Sequence, residues 1–357
     1  MKKIVSLVMM LFVLITSLNS FSVSAKAEFY WSTLKDGTVE IAAYSGDEKS
    51  ITLPIELNGK KVTRIGEYAF AHHDSIESVT IPDTITKIAD FAFFQCKNLK
   101  NIKLNNKIVE IDSGSFYLTA YYYNQDNWED GCLYIGKYLV NTDYNNAPKK
   151  YTIKKGTRLI GNNAFSSRYN LEKLTIPSSV KYIGDYAFNN TSLKKVTIEN
   201  GLKEIGEHAF DYCLFKTITI PPSVKKMGED AIYGGVDTDK RKNYTIKGYF
   251  NTAAEKFSKS NKNKFVALNP KTPKFSVKAG KKSFKVTYKK VKNAVGFQVK
   301  YKQGKTWKTK LFETQKTVTK KIKAKKGTCK VKIRSYKVEY NKKIYSKWTK
   351  LKKITVK

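Results

Sequence analysis

The chain has 357 residues, with 67 Lys and Arg against 30 Asp and Glu, a formal net charge of +37, and only three His and four Cys. Its length suggests two domains. Cys96, Cys132, Cys213 and Cys329 are too few and too scattered for a disulfide framework. A single long apolar run, at the start, excludes any further membrane span.

That run opens the chain. Lys2-Lys3 precede the apolar stretch Ile4 to Leu18, and Val23-Ser24-Ala25 and Ala25-Lys26-Ala27 both offer small-residue cleavage sites. Residues 1–25 therefore read as a signal peptide, with a transmembrane anchor as the competing reading; the run is short for a span. Cleavage implies an exported protein with no transmembrane segment left. No cysteine follows the run, so nothing supports a lipid anchor there. Residues 28–50 carry Phe29-Tyr30-Trp31 and then Asp36-Gly37 between two extended runs. This pattern predicts a hairpin and an N-terminal cap.

Residues 51–232 repeat. The clearest unit is Leu171 to Phe188, where Leu171, Leu174 and Ile176 fall at L-x-x-L-x-I and the last three residues alternate as in a short strand. Pro177 ends the strand, Val180 and Ile183 return inward, Gly184 permits a second turn, and Ala187-Phe188 close the unit. The closing pair recurs at Ala69-Phe70, Ala92-Phe93, Ala164-Phe165 and Ala209-Phe210, and in degenerate form at Ser115-Phe116 and Ala231-Ile232. The spacing is 22 or 23 residues except between Phe116 and Phe165. One unit cannot bury its own apolar face, so the pattern predicts a solenoid of parallel strands. Stacking in register would align Thr52, Thr80 and Lys103, then Thr152, Thr175, Thr197 and Thr219, into an outward ladder. Such an array suits carbohydrate or ordered water, and it equally reflects the strand preference of β-branched residues. Cys96 and Cys213 each lie three residues past a marker and read as small buried apolar residues.

The insertion, residues 117–149, interrupts the repeat with Tyr117, Tyr121, Tyr122, Tyr123, Trp128, Tyr134, Tyr138 and Tyr144 among Asn and Asp residues. Gly131 to Val140 reads as two short strands turning at Gly136-Lys137. The rings serve either to pack on the coil beneath or to contact a ligand. The stretch Tyr121, Tyr122, Tyr123 and Trp128 is the candidate contact. Residues 233–268 form a C-terminal cap: a strand at Asn243–Phe250, a helix capped by Thr252 with Glu255 at the capping-box position, and a strand at Phe265–Leu268.

Residues 269–273 are a linker, and the composition then changes. From Pro270 onward there are 31 Lys and Arg against Glu313 and Glu339, so +29 of the +37 lies there. Phe284/Val286/Tyr288, Phe297/Val299/Tyr301 and Cys329/Val331/Ile333 alternate with polar residues, and Trp348 to Val356 supplies a final strand. Turns are expected at Ala279-Gly280, Gln303-Gly304, Lys326-Gly327 and Asn341-Lys342. Residues 274–357 thus read as an antiparallel β-sandwich. On alternating strands Lys330, Lys332 and Arg334 share one outward face with Lys300 and Lys302. A module of +29 repels itself, and this face either takes a polyanion or is a solvated basic surface. For an exported protein the polyanions are anionic envelope polymers: teichoic acids, anionic glycans and phospholipid headgroups. No groove-reading or base-stacking motif supports specific nucleic-acid binding.

The repeat resembles the BspA-like (Treponema pallidum type) leucine-rich repeats, in the form L-x-x-V-x-I-P-x-S-V-x-x-I-G-x-x-A-F. Asn127-Trp128…Gly131…Leu133-Tyr134-Ile135-Gly136 and the tail from Tyr244 to Leu268 are similar to segments of that family. The final segment resembles fibronectin type III modules through Phe284–Tyr288, Ala294–Tyr301 and Val331–Tyr336. It has Tyr288 where such modules usually have Trp and Cys329 where an aromatic is common. These resemblances imply a solenoid followed by a fibronectin type III-like sandwich, surface exposure, and adhesion to a protein or glycan of a host or neighbouring cell. The alternatives are a spacer without a specific ligand and an accessory subunit of an envelope enzyme. No catalytic constellation, metal-ligand spacing or cofactor motif is found: His72, His73 and His208 stand apart from any metal-spaced cluster, and Gly201 and Gly206 read as turn glycines. The chain is therefore expected to be a binding protein without a cofactor.

Overall fold

The computed structural model describes residues 27–233 and 244–357, and the signal-peptide reading of residues 1–25 lies outside them. The chain forms two compact units. One runs to Asn105 and takes in Ser115–Tyr123; the other comprises Asn106–Gly114 and Asn124–Lys357.

In the first unit the N-terminal hairpin forms as expected. Glu28–Thr33 and Val39–Ser45 run antiparallel around Asp36-Gly37. Gly37 sits at φ +83°, where a side chain is strained. Thr38 donates from N and Oγ1 to Asp36 Oδ1 at 3.0 and 2.7 Å and closes the turn. Val39–Ser45 then pairs in parallel with Lys60–Ile65, so the cap supplies the first strand of a coil sheet. The L-x-I strands Ser50–Thr52, Ser78–Thr80 and Asn101–Lys103 stack in parallel, with Thr52, Thr80 and Lys103 in one row.

The second unit repeats this scheme. Lys150–Thr152, Lys173–Ile176 and Lys195–Ile198 align Thr152, Thr175 and Thr197, as the repeat predicts. A second sheet, whose two-residue coil strands the sequence reading does not assign, runs through Tyr138–Thr142, Leu159–Ile160, Tyr182–Ile183, Glu204–Ile205 and Lys226–Met227. Two residues are too short to show alternation, which is why this strand does not stand out in the sequence.

The glycines after those strands also act differently from expectation. Gly184 and Gly206 do not occupy left-handed φ. A Cβ on Gly184 would lie 2.3 Å from Asn162 Oδ1, and one on Gly206 2.4 Å from Asp185 Oδ1. They permit close approach of one coil to the next, and a polar ladder runs beside them. Asp185 N donates to Asn162 Oδ1 at 2.9 Å, and Glu207 N to Asp185 Oδ1 at 2.7 Å. Left-handed φ falls instead two residues later, at Tyr186 (55°) and His208 (49°), as it does at Tyr68 and Phe91 in the first unit.

The markers form the core. In the first unit Phe70, Phe93 and Phe116 stack at 4.8 and 5.2 Å between centroids; in the second, Phe165, Phe188 and Phe210 stack at 5.1 Å per step. All six are buried. Each corner is also tied by backbone: Phe188 N donates to Ala209 O at 2.8 Å and Phe210 N to Ala231 O at 2.9 Å. Cys96 and Cys213 fill the expected interior positions, donating to Phe70 O and Phe188 O at 2.9 and 3.3 Å. Burial pushes both thiols up to about 12, so they are protonated and inert.

The insertion hairpin forms at Cys132–Ile135 and Tyr138–Thr142, around Gly136. Its return strand then takes the place of a coil strand beside Leu159–Ile160. At the far end Thr217–Thr219, Thr245–Gly248 and Lys264–Ala267 continue the parallel ladder. The helix Ala253–Ser260 buries Ala254 and Phe257 against them. The capping box is only half formed. Thr252 Oγ1 donates to Tyr249 O at 2.6 Å rather than capping the helix, while Glu255 Oε2 accepts from Asn251 N at 2.7 Å.

The C-terminal segment is a two-sheet antiparallel sandwich. One sheet holds Phe275–Gly280, Ser283–Tyr288 and Val318–Lys323. The other holds Gly296–Gln303, Thr306–Glu313, Gly327–Glu339, Lys342–Tyr345 and Lys352–Val356. Phe284, Val286, Phe297, Val299, Cys329, Val331 and Ile333 fill its core, and Tyr288 stacks on Phe297 at 4.4 Å. Two local expectations fail. The first hairpin turns at Lys281-Lys282 rather than Ala279-Gly280, and the last strand starts at Lys352 rather than Trp348.

Candidate ligand-contact surfaces

In the first unit the interruption of the repeat begins with a short helix, Ala120–Tyr123. Thr119, fully buried, donates from Oγ1 to Phe116 O at 2.9 Å and accepts from Tyr122 N at 3.1 Å, which pins the helix to the last marker. The three tyrosines diverge from there. Tyr121 is half-buried, and burial raises its phenol above the ordinary range. Tyr122 packs edge-on between Tyr117 at 4.9 Å and Tyr123 at 5.6 Å, and Tyr123 is 61% exposed.

The structure also shows what the sequence reading missed. Tyr117 lies 6.2 Å from Phe94, Phe94 lies 5.3 Å from Phe91, and Phe91 stacks on Tyr68 at 5.2 Å. Tyr122 and Tyr123 thus end a ring-to-ring row running over the corners of successive coils. Tyr68 and Phe91 occupy the position two residues after each coil glycine or its equivalent, so a signal existed in the repeat. It was masked because that position holds Asn163, His208 and Asp230 elsewhere.

Trp128 belongs to the second unit. It is half-buried and pairs with Leu133 at the start of the insertion hairpin. Behind it Tyr134 and Tyr138 are buried, and the Tyr134 and Tyr151 hydroxyls lie 2.9 Å apart, so these rings serve packing.

In the sandwich, Lys300 pairs with Lys332 and Lys302 with Lys330 on adjacent strands, while Arg334 faces Gln298. All five lie on the side away from the core. Rings that the sequence reading did not use stand between them. Lys300 and Lys332 Nζ lie 5.5 and 5.3 Å from the Trp307 centroid, and Lys332 lies 5.1 Å from Trp348. The Arg334 guanidinium sits 4.4 Å from Trp348 and 3.7 Å from Tyr345. Cation–ring contacts hold the charges in place without neutralising them.

Among the described residues no group of three or more His, Cys, Asp or Glu could hold a metal ion. His208 Nδ1 lies 3.0 Å from Asp211 Oδ2, a pair the sequence reading did not make. Burial raises the Asp211 carboxyl, and the His208 ring stacks on Tyr186 at 4.8 Å. Among the described residues no helix is long and apolar enough to cross a membrane.

Comparison with solved structures finds bacterial repeat proteins of low identity. A leucine-rich repeat protein of T. pallidum is 18% identical, covering 70% of this chain and 98% of that one, with a TM-score of 0.31. A leucine-rich cell surface protein of Faecalibacterium prausnitzii is 19% identical over 61% and 76%, with a TM-score of 0.29. The pneumococcal vaccine antigen PcpA is 15% identical over 71% and 99%, with a TM-score of 0.29. Comparison with curated proteins gives no match. The model of the BspA type leucine-rich repeat region matches six copies, at residues 40–147, 121–238 and 158–269. With most of its length covered by that model, the chain belongs to the BspA-type leucine-rich repeat family.

Proposed function

We propose that the chain is an exported, cell-surface binding protein whose coils engage a protein or glycan of a host or neighbouring cell. The observation that carries this is the row Tyr68–Phe91–Phe94–Tyr117–Tyr122–Tyr123 in the first unit. Rings left on the surface at successive corners give large, rigid contact area at little entropic cost. Tyr121, half-buried in the same unit, serves as its support. Saturable binding of the full chain to immobilised host-matrix proteins and glycans, lost in a Tyr122→Ala/Tyr123→Ala variant, supports the reading. Binding that the variant retains moves the contact off this row, and no saturable binding at all favours a spacer.

The same reading takes residues 269–273 as a linker and 274–357 as a fibronectin type III-like module that associates with anionic envelope polymers. Lys300, Lys302, Lys330, Lys332 and Arg334 form its contact face, supported by the paired lysine rows. Cells extracted at rising salt should release the protein without protease or lipase; retention through high salt contradicts charge-based association.

A further inference from the structure

A cleft within the second unit shares only Arg334 with the contact face above. It encloses about 480 Å³ and is lined by Tyr249, Phe250 and Asn251 before the helix Ala253–Ser260, and by Arg334, Tyr345 and Trp348 of the sandwich. Its walls are fixed by Asn269, whose Oδ1 accepts from Phe250 N at 2.8 Å and whose Nδ2 donates to Tyr345 O at 2.7 Å.

Arg334 is the central group. Its guanidinium is clamped between Tyr345 and Trp348, and its Nε donates to Gln298 Oε1 at 2.8 Å. Among the described residues neither terminal amino group has a hydrogen-bond or carboxylate partner, so the fork is oriented but unspent. Lys343 and Lys347 line the same cleft, with Nζ over the Tyr336 and Phe250 rings at 5.7 and 4.7 Å. Glu255 acts on Lys347 electrostatically, but its oxygens are engaged by Asn251 N at 2.7 Å and Lys259 Nζ at 3.1 Å. Among the described residues the side-chain amide of Asn251 has no hydrogen-bond partner.

We propose that this cleft binds the carboxylate-bearing pyranose of an acidic glycan. The Arg334 fork takes the carboxylate, the rings take an apolar face of the sugar, and Asn251 takes a hydroxyl. A planar guanidinium held by stacking matches a carboxylate edge in a bidentate way. The half-buried rings of Phe250, Tyr345 and Trp348 line the cleft and suit the C–H face of a sugar, a contact that a bare phosphate would not use. The volume fits a small-molecule site. This use of Arg334 is separate from retention by lysine rows, because a single sugar acid offers no multivalent charge.

The test is a titration of the full chain with methyl β-glucuronide against methyl β-glucoside, followed by ligand-observed NMR. Glucuronide should bind, and the neutral glucoside roughly tenfold more weakly or not at all. Arg334→Lys keeps the charge and loses the fork, so it should weaken glucuronide roughly tenfold. Asn251→Gly removes the amide, suits the left-handed φ of 59° at that position and leaves the ring stack intact; it should weaken glucuronide a few-fold, with the thermal unfolding curve of both variants little changed. Lys278→Glu/Lys321→Glu alters charge on the other sheet and should leave glucuronide binding as it was. Glucuronide and glucoside binding alike, Arg334→Lys binding as well as the parent, or the Lys278/Lys321 variant weakening as much as Arg334→Lys would each overturn the proposal. An oligosaccharide with internal glucuronates separates the sources. Equal affinity identifies units within a polymer, and a preference for the simple glycoside identifies chain ends.

Discussion

The coils and the C-terminal sandwich both place lysines side by side on neighbouring strands, but they settle the charge differently. In the coils a carboxylate stands between the cations. Glu77 lies 3.3 Å from Lys49 and 2.7 Å from Lys100, and Glu172 lies 3.5 Å from Lys149 and 3.0 Å from Lys194. In the sandwich the rows Lys300–Lys332, Lys302–Lys330 and Lys278–Lys285–Lys321 contain no acid, and rings take the place of counter-ions. The repeat closes the coil surface at Glu77 and Glu172 but leaves the row Lys150–Lys173–Lys195 without an acid, whereas none of the sandwich rows has one.

The comparison is broken most severely through the core. Phe188→Ala removes the middle ring of a stack and should cost about 3–5 kcal/mol in chemical denaturation. Hydrogen exchange on the intact chain should then lose protection in peptides of the surrounding coils and keep it in the sandwich. Equal loss in both would mean that the two regions do not fold as separately stabilised cores. Gly184→Ala acts through the backbone, since its Cβ would meet Asn162 Oδ1 at 2.3 Å. A loss of about 1–3 kcal/mol is expected, read by the same denaturation experiment.

Acid sharpens the contrast by a smaller amount. Side-chain hydrogen bonds and charge from Lys100 and Lys49 hold the Glu77 carboxyl below its ordinary range, and Lys194 and Lys149 do the same for Glu172. A carboxyl depressed by folding stabilises the fold above its unfolded pKa, and that contribution is lost as pH falls through the folded value. Exchange protection of the coils should therefore drop as pH is lowered below the ordinary carboxylate range. The sandwich, with Glu313 and Glu339 as its only acids, should change less. A larger drop in the sandwich would contradict the pairing scheme.

The fold was legible where a residue repeats a role. The Ala-Phe markers, the Asp36-Gly37 hairpin, the Thr52/Thr80 register and the alternating strands around Val299 and Val331 all carry their structure in local pattern. What escaped depends on contacts between coils or strands. Tyr182–Ile183 is too short to alternate, and Gly184 is required by Asn162 in the coil before it, not by its own turn. The Tyr68–Tyr123 row was read only at its end, because its other members sit in positions the repeat fills with any residue. Trp307 comes from one stretch of chain and Tyr345 and Trp348 from another, and they meet only once Gly327–Glu339 brings Lys332 and Arg334 between them. The sugar-acid cleft was illegible for the same reason, since Asn269 joins walls that are 95 residues apart at Phe250 and Tyr345.

The most direct test of the open-surface claim is binding of the full chain to long-chain inorganic polyphosphate as salt is raised. With about five cationic contacts, affinity should fall on the order of a hundredfold between about 50 mM and about 200 mM salt. Lys300→Glu/Lys302→Glu/Lys330→Glu/Lys332→Glu should abolish binding while Tyr122→Ala/Tyr123→Ala leaves it intact. Binding that ignores salt, or survives reversal of those four lysines, would contradict the account.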